Sequence, residues 1–196
     1  MSKELAKAIA VCAELTGTEL SQAAARVFSD DLSKYPEQQV MGALSRCRRE
    51  LKGRLTLADV ISRLDDGRPG VEEAWAMIPK TENESVVWTE EMALAMADAG
   101  NLLDYGDEVG ARMTFKEKYL SLCRKAREEC LPVSWSPSLG YNKYGREPVL
   151  IEAYRAGRLS APQVRIFLPE FDEQPLLSDV NIEIKQLASA VMGVKP

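Results

Sequence analysis

Tyr35-Pro36-Glu37-Gln38-Gln39-Val40-Met41-Gly42-Ala43-Leu44-Ser45-Arg46-Cys47-Arg48-Arg49-Glu50-Leu51 decides the fold class. Val40, Leu44, Cys47 and Leu51 recur at i, i+4, i+7 and i+11, the spacing of one face of an α-helix. Pro36 suits the first turn, where its missing N–H has no intrahelical partner to lose. Glu37 complements the positive end of the helix dipole. Gly53 ends the segment.

The same periodicity extends both ways. Upstream, Leu5, Ile9 and Cys12 predict a helix over 2–15 that Gly17 stops. A second helix runs to about Ser33, capped by Thr18 or Ser21, with Leu20, Ala24, Val27, Phe28 and Leu32 expected inward. Downstream, Thr56 is an N-cap for Leu57 to Leu64, with Asp59 in the first turn. Asp65-Asp66-Gly67-Arg68-Pro69-Gly70 reads as a turn or linker. Beyond it, a short helix is expected over 71–78 and a polar loop over 80–85. Two longer helices follow, from Thr89 to about Leu103 and from Asp107 to Glu129, as a hairpin joined at Tyr105-Gly106. In the second, Val109, Met113, Phe115, Lys116, Tyr119, Leu120 and Cys123 keep helical spacing.

Residues 132–147 change character, with Pro132, Pro137, Gly140 and Gly145 among Trp135, Tyr141 and Tyr144. They read as a long loop packed on the helical body. Two short helices over 149–156 and from about 160 to before Pro169, an acidic linker from Phe171 to Asp179 and an amphipathic helix over 181–191 complete the chain. No alternating strand pattern persists beyond Val86-Val87-Trp88. The expected fold is all-α, an irregular multi-helix bundle with short helices and a long Pro/Gly/aromatic loop. The expected division is 1–66 as an N-terminal helical subdomain, 67–169 as hairpin, loop and short helices, and 170–196 as linker and C-terminal helix.

Composition narrows the chemistry. The 196 residues are 45% hydrophobic and 28% charged with a net charge of −5, ordinary for a globular chain. Histidine is absent, which excludes Ser-His and Cys-His catalysis within the chain. Neither a GxxxxGK[ST] nor a GxGxxG phosphate loop occurs. The pairs Glu72-Glu73, Glu90-Glu91 and Glu128-Glu129 project about 100° apart on a helix, so local spacing makes no carboxylate dyad. Cys12, Cys47, Cys123 and Cys130 lack paired zinc spacing and read as reduced core thiols. No enzyme is expected, and no catalytic residue, cofactor or metal. The amino terminus has no signal-peptide pattern, and no stretch approaches eighteen apolar residues. A soluble cytoplasmic protein is therefore expected.

Two groups stand out as candidate binding residues. Arg46, Arg48, Arg49, Lys52 and Arg54 form a basic run opposed only by Glu50. Such a run fits phosphates or an acidic protein surface, and it also fits a solvated helix C-terminus. The two helices around it have the outline of a helix-turn-helix. The second of them, however, carries Asp59, Asp65 and Asp66, which repel phosphate. The other candidate is the apolar face Ile182, Ile184, Leu187 and Val191, able to lie in a groove on a partner. Trp135, Tyr141 and Tyr144 with Lys143 and Arg146 suit either an interface or, as favoured here, a role in pinning the loop.

Between Phe28 and Leu64 the sequence presents Leu32, Tyr35, Val40, Ala43-Leu44 and then Thr56-Leu57-Ala58-Asp59-Val60. This pattern resembles the N-terminal domain of phage replicative-helicase loader/inhibitor proteins, in which an L..Y....V..AL helix precedes a PTIADI-like helix start. Leu55 stands where that motif has proline. Trp75, Trp88-Thr89-Glu90-Glu91, Phe115-Lys116 and Ser138-Leu139-Gly140 look like proteins of prophage replication regions. The resemblance implies a small, all-α, non-catalytic protein that binds the host DnaB-type helicase, with a flexible C-terminal segment as the partner-binding part. Two alternatives remain open: a phage inhibitor of another host machine, such as a nuclease or defence complex, and a DNA-binding regulator using residues 46–54.

Overall fold

The structure, a computed structural model, describes residues 2–171. The candidate face Ile182, Ile184, Leu187 and Val191, with the rest of 172–196, lies outside the described residues. The chain is mostly α-helical. In order the elements are α1 (Lys3–Leu15), α2 (Gln22–Leu32), α3 (Glu37–Glu50), α4 (Leu57–Ser62), α5 (Val71–Met77), β1 (Val86–Thr89), α6 (Glu90–Asp104), α7 (Glu108–Glu128), β2 (Trp135–Ser138), a 3-10 turn (Lys143–Gly145), α8 (Arg146–Arg155) and α9 (Ala161–Phe167).

The described residues form two compact units. Unit 1 holds 2–73 and 94–133, and unit 2 holds 74–93 and 134–171. The division is interleaved, in contrast to the successive blocks expected from the sequence. The reason is non-local: α7 packs against α4 and brings Arg127 to Asp66, 61 positions away in sequence.

Unit 1 is built on local helix signals. Ser2 Oγ accepts from Leu5 N at 3.1 Å and Ser21 Oγ from Ala24 N at 3.2 Å, each satisfying a free donor of a first turn. Thr56 and Asp59 form a reciprocal capping box on α4, with Asp59 N donating to Thr56 Oγ1 and Thr56 N to Asp59 Oδ2. These three helices and α3 bury Leu5, Ile9 and Cys12 of α1, Leu32 of α2, Val40, Leu44 and Cys47 of α3, and Val60 and Ile61 of α4 in one core.

One helix face departs from expectation, and another divides in two. On α2, Ala24 and Val27 are exposed, while Phe28, Ser29 and Leu32 face inward. Consecutive helical residues point about 100° apart, and a buried serine in the inward row displaces the face that an apolar count suggests. On α7 the apolar residues split into two rows. Ala111, Phe115, Tyr119, Cys123 and Ala126 are buried, whereas Val109, Met113 and Leu120 are exposed. The Tyr119 hydroxyl donates to Pro69 O at 2.7 Å and fixes the inward row. Between α6 and α7 the chain turns at Gly106, whose φ of +81° lies in the left-handed region that glycine reaches without strain. Asp107 then caps α7 by accepting from Gly110 N at 2.8 Å.

Unit 2 contains an element missing from the expected fold. Part of the anticipated loop is a strand, β2, antiparallel to β1 with Val86 opposite Ser138, Val87 opposite Pro137, Trp88 opposite Ser136 and Thr89 opposite Trp135. Proline is tolerated because each strand of a two-stranded sheet has an edge with no ladder to feed. Val87 packs with Leu150, Ala153, Tyr154, Leu159, Ala161 and Val164. Just past β2, Gly140 lies so close to the β1 approach that a Cβ would sit 2.3 Å from Asn83 O. Its N–H donates to Ser85 Oγ at 3.1 Å, and Arg146 donates to its carbonyl at 2.8 and 3.1 Å. Of the loop aromatics, Trp135 is half-buried with the Arg158 guanidinium 4.7 Å over its ring, whereas the Tyr141 and Tyr144 side chains are exposed.

Candidate macromolecule-binding surface

The basic run separates into two kinds of cation. Arg46 is a strut: Nη1 donates to Arg63 O at 3.1 Å and Nη2 to Asp65 Oδ2 at 3.2 Å, tying α3 to the end of α4. Arg49 points outward, with Nε donating to Ser45 O one turn back in its own helix at 3.3 Å. Arg48, Lys52 and Arg54 are exposed and make no hydrogen bond or ion pair among the described residues. The structure thus keeps four of the five candidate cations on the surface and assigns the fifth to the fold. Nothing local signalled Arg46, because Asp65 is 19 positions away.

Glu50 and the acids on and just after α4 are engaged. Glu50 takes Arg63 Nε at 3.2 Å, and Asp59, besides capping α4, lies 3.7 Å from Arg63 Nη1. Asp66 is gripped by Arg68 Nη1 at 2.6 Å and by Arg127 through Nε at 3.0 Å and Nη2 at 3.1 Å. Burial alone would raise the Asp66 pKa, but these two arginines outweigh it and hold the carboxyl below its usual value. Arg127 Nη1 also donates to Ser62 O and Arg68 Nη2 to Leu131 O, so the cluster joins the linker to both ends of α7's C-terminal turn.

Of the thiols, Cys12, Cys47 and Cys123 are buried as expected. Burial lifts the Cys47 pKa to about 11 against the opposing Arg63 charge, and lifts Cys12 against Arg48. Both are protonated at neutral pH and donate weakly to carbonyls, Leu44 O and Asp59 O. Cys130 differs from expectation: it lies past the end of α7 at φ +54°, exposed, and shares no face with Cys123. Among the described residues no group of three or more Cys, Asp or Glu side chains is placed to hold a metal ion, and no helix is long and apolar enough to cross a membrane.

Two other surfaces of unit 1 are apolar. Val109, Met113 and Leu120 form the exposed row on α7, beside Glu72, which receives Arg112 and Lys116. A groove of about 470 Å³ between α1 and α2 is lined mainly by small side chains, including Ala6, Ala10 and Ala13. The chain matches no family model, no curated protein and no solved structure.

Proposed function

We propose that this protein acts by binding a macromolecule, and that its partner is the DnaB-type replicative helicase of a bacterial host, engaged by protein–protein contacts as a phage loader or inhibitor. The observation that carries the reading is the placement of the residues behind the resemblance. Leu32, Val40, Ala43, Leu44 and Val60 share one core, and Thr56 caps the helix that the motif begins. The resemblance therefore rests on a contiguous, packed group of helices. The exposed apolar row on α7 supports a protein partner, since clustered exposed apolar side chains mark interaction surfaces.

The test is direct mixing of the full chain with the purified helicase hexamer at micromolar concentration, followed by size-exclusion chromatography. Co-elution at a larger apparent mass than the hexamer is expected, and separate elution sinks the reading.

A further inference from the structure

We propose that a second copy of this chain docks in the groove between α1 and α2, with the two α1 helices running in opposite directions about a two-fold axis near Ala10. This surface is separate from the helicase reading and does not depend on it.

Lys3, Ala6, Lys7, Ala10, Ala13 and Glu14 fall at i, i+3, i+4, i+7, i+10 and i+11, one face of α1. Their order along that face is polar. Two lysines stand at its amino-terminal end, alanines at its middle and Glu14 at its carboxy-terminal end, with Glu19 in the turn just past it. The alanines and both glutamates line the groove of about 470 Å³. Lys3, Lys7, Glu14 and Glu19 are exposed, and none of them forms an ion pair among the described residues. From α2 come Arg26 and Asp30, exposed, opposite in sign and one turn apart, which leave the polarity unchanged.

This charge order selects a second copy among the possible occupants. A nucleic acid, or any surface of one sign, is attracted at one end of the face and repelled at the other. A two-fold axis reverses the order, so it sets lysines against acids at both ends at once. With a rise of about 1.5 Å per residue, Lys7 lies about 4.5 Å to one side of Ala10 and Glu14 about 6 Å to the other. Reversal therefore brings Lys7 of each copy within side-chain reach of Glu14 of the other, and Lys3 beside the turn that carries Glu19. Alanines at the crossing let the two helix axes approach closely. The groove also holds Ser29 of α2, 5% exposed, whose hydroxyl makes no hydrogen bond among the described residues. A buried hydroxyl without a partner is costly. A helix with lysine and glutamate beside its alanines brings polar atoms that a wholly apolar occupant lacks. Because the contact is a helix crossing and not a broad interface, the association is weak, and its exposed ion pairs make it sensitive to salt.

The test is sedimentation equilibrium of the full chain from about 10 to about 500 μM in about 50 mM salt. The mass is expected to rise with concentration from 21.7 kDa toward twice that value, and to fall back at about 500 mM salt. Lys7→Glu and Glu14→Lys each set like charges against one another across the axis and weaken association by about tenfold or more. Circular dichroism stays unchanged, because both side chains are exposed. Mixing the two single variants in equal amounts restores association, since one copy then carries acids at both positions and the other lysines. A monomer at every concentration in the lowest salt overturns the proposal. Association that both single variants retain overturns it as well, and places the self-contact on another face, such as the exposed row of α7. A monomer that instead takes up a lysine-rich helical peptide, and loses it on Glu14→Lys, makes the occupant a basic partner and overturns the second copy.

Discussion

Unit 1 is fastened by a charge and unit 2 by the absence of a side chain. In unit 1, Asp66 is shared between Arg68, whose side chain is 1% exposed, and Arg127, at 13%. In unit 2 the corresponding fixed point is Gly140, whose Cα face meets the backbone of Asn83 and Glu84. The first fastening fails when a partner is removed, because both guanidinium groups lose the carboxylate they share. The second fails when anything is added, because backbone atoms have nowhere to go. Both hold segments distant in sequence, yet they respond to opposite kinds of perturbation.

The sharpest way to break this contrast is Asp66→Ala. It removes the carboxylate that two buried guanidinium groups share and is expected to cost about 3–5 kcal/mol, read from urea denaturation. Hydrogen exchange should show protection lost first in α4 and the C-terminal half of α7. The same carboxylate sets an acid dependence. Its folded pKa lies below the ordinary value of about 3.9, so its stabilisation is complete above that value and is lost as pH falls through the folded pKa. Stability curves of wild type and Asp66→Ala should therefore converge as the solution is acidified. Curves that stay parallel would remove Asp66 from its assigned role.

Next in size is Gly140→Ala. The new methyl group would meet Asn83 O at 2.3 Å and Glu84 O at 2.5 Å, so the backbone must shift, at about 1–3 kcal/mol. Proline at 137 and the β1–β2 pairing make the effect local, visible as lost amide protection at Tyr141 and Asn142, whose N–H groups donate to Glu82 O and Asn83 O. An unchanged melting temperature would show that the approach of the two segments is not a constraint. Smallest is Thr56→Ala, which removes a cap and should cost about 1 kcal/mol without disturbing either fastening. A larger loss in thermal denaturation would mean that the α4 start carries more of unit 1 than its local geometry implies.

What could be read from the sequence follows the range of the interactions. The helices α1, α3 and α4 were legible because their evidence is local: the apolar rows of α1 and α3, and Thr56 three residues ahead of Asp59. The helical class of the protein follows from these. The strand β2 was not legible, since four residues including Pro137 carry no period, and their partner is the remote Val86–Thr89. The division of α7 into an inward and an outward row was not legible for a related reason. Val109, Met113 and Leu120 are as apolar as the buried row, and only the alanines at 111 and 126 mark which side is closely packed. For the basic run, sequence identified the cations. It could not say that Arg46 belongs to the fold, or that Glu50 and the acids on and just after α4 are spoken for, because Arg63 reaches Glu50 across 13 positions and Arg46 reaches Asp65 across 19.

The hydrogen bond from Gly140 N to Ser85 Oγ spans 55 positions, and this has a consequence in time. By logarithmic loop closure, joining those ends costs about 3.5 kcal/mol in chain entropy before any strand contact repays it. On a ribosome adding roughly 5–20 residues per second, β1 is synthesised about 2–10 s before its partner strand. For that interval Val86, Val87 and Trp88 have no ladder to join, while the helices of 2–62 already have their apolar faces, and α1, α2 and α4 their caps. The order of birth is thus α1 to α4 before the sheet, and the moment of greatest exposure of β1 to aggregation falls between the synthesis of Thr89 and that of Trp135.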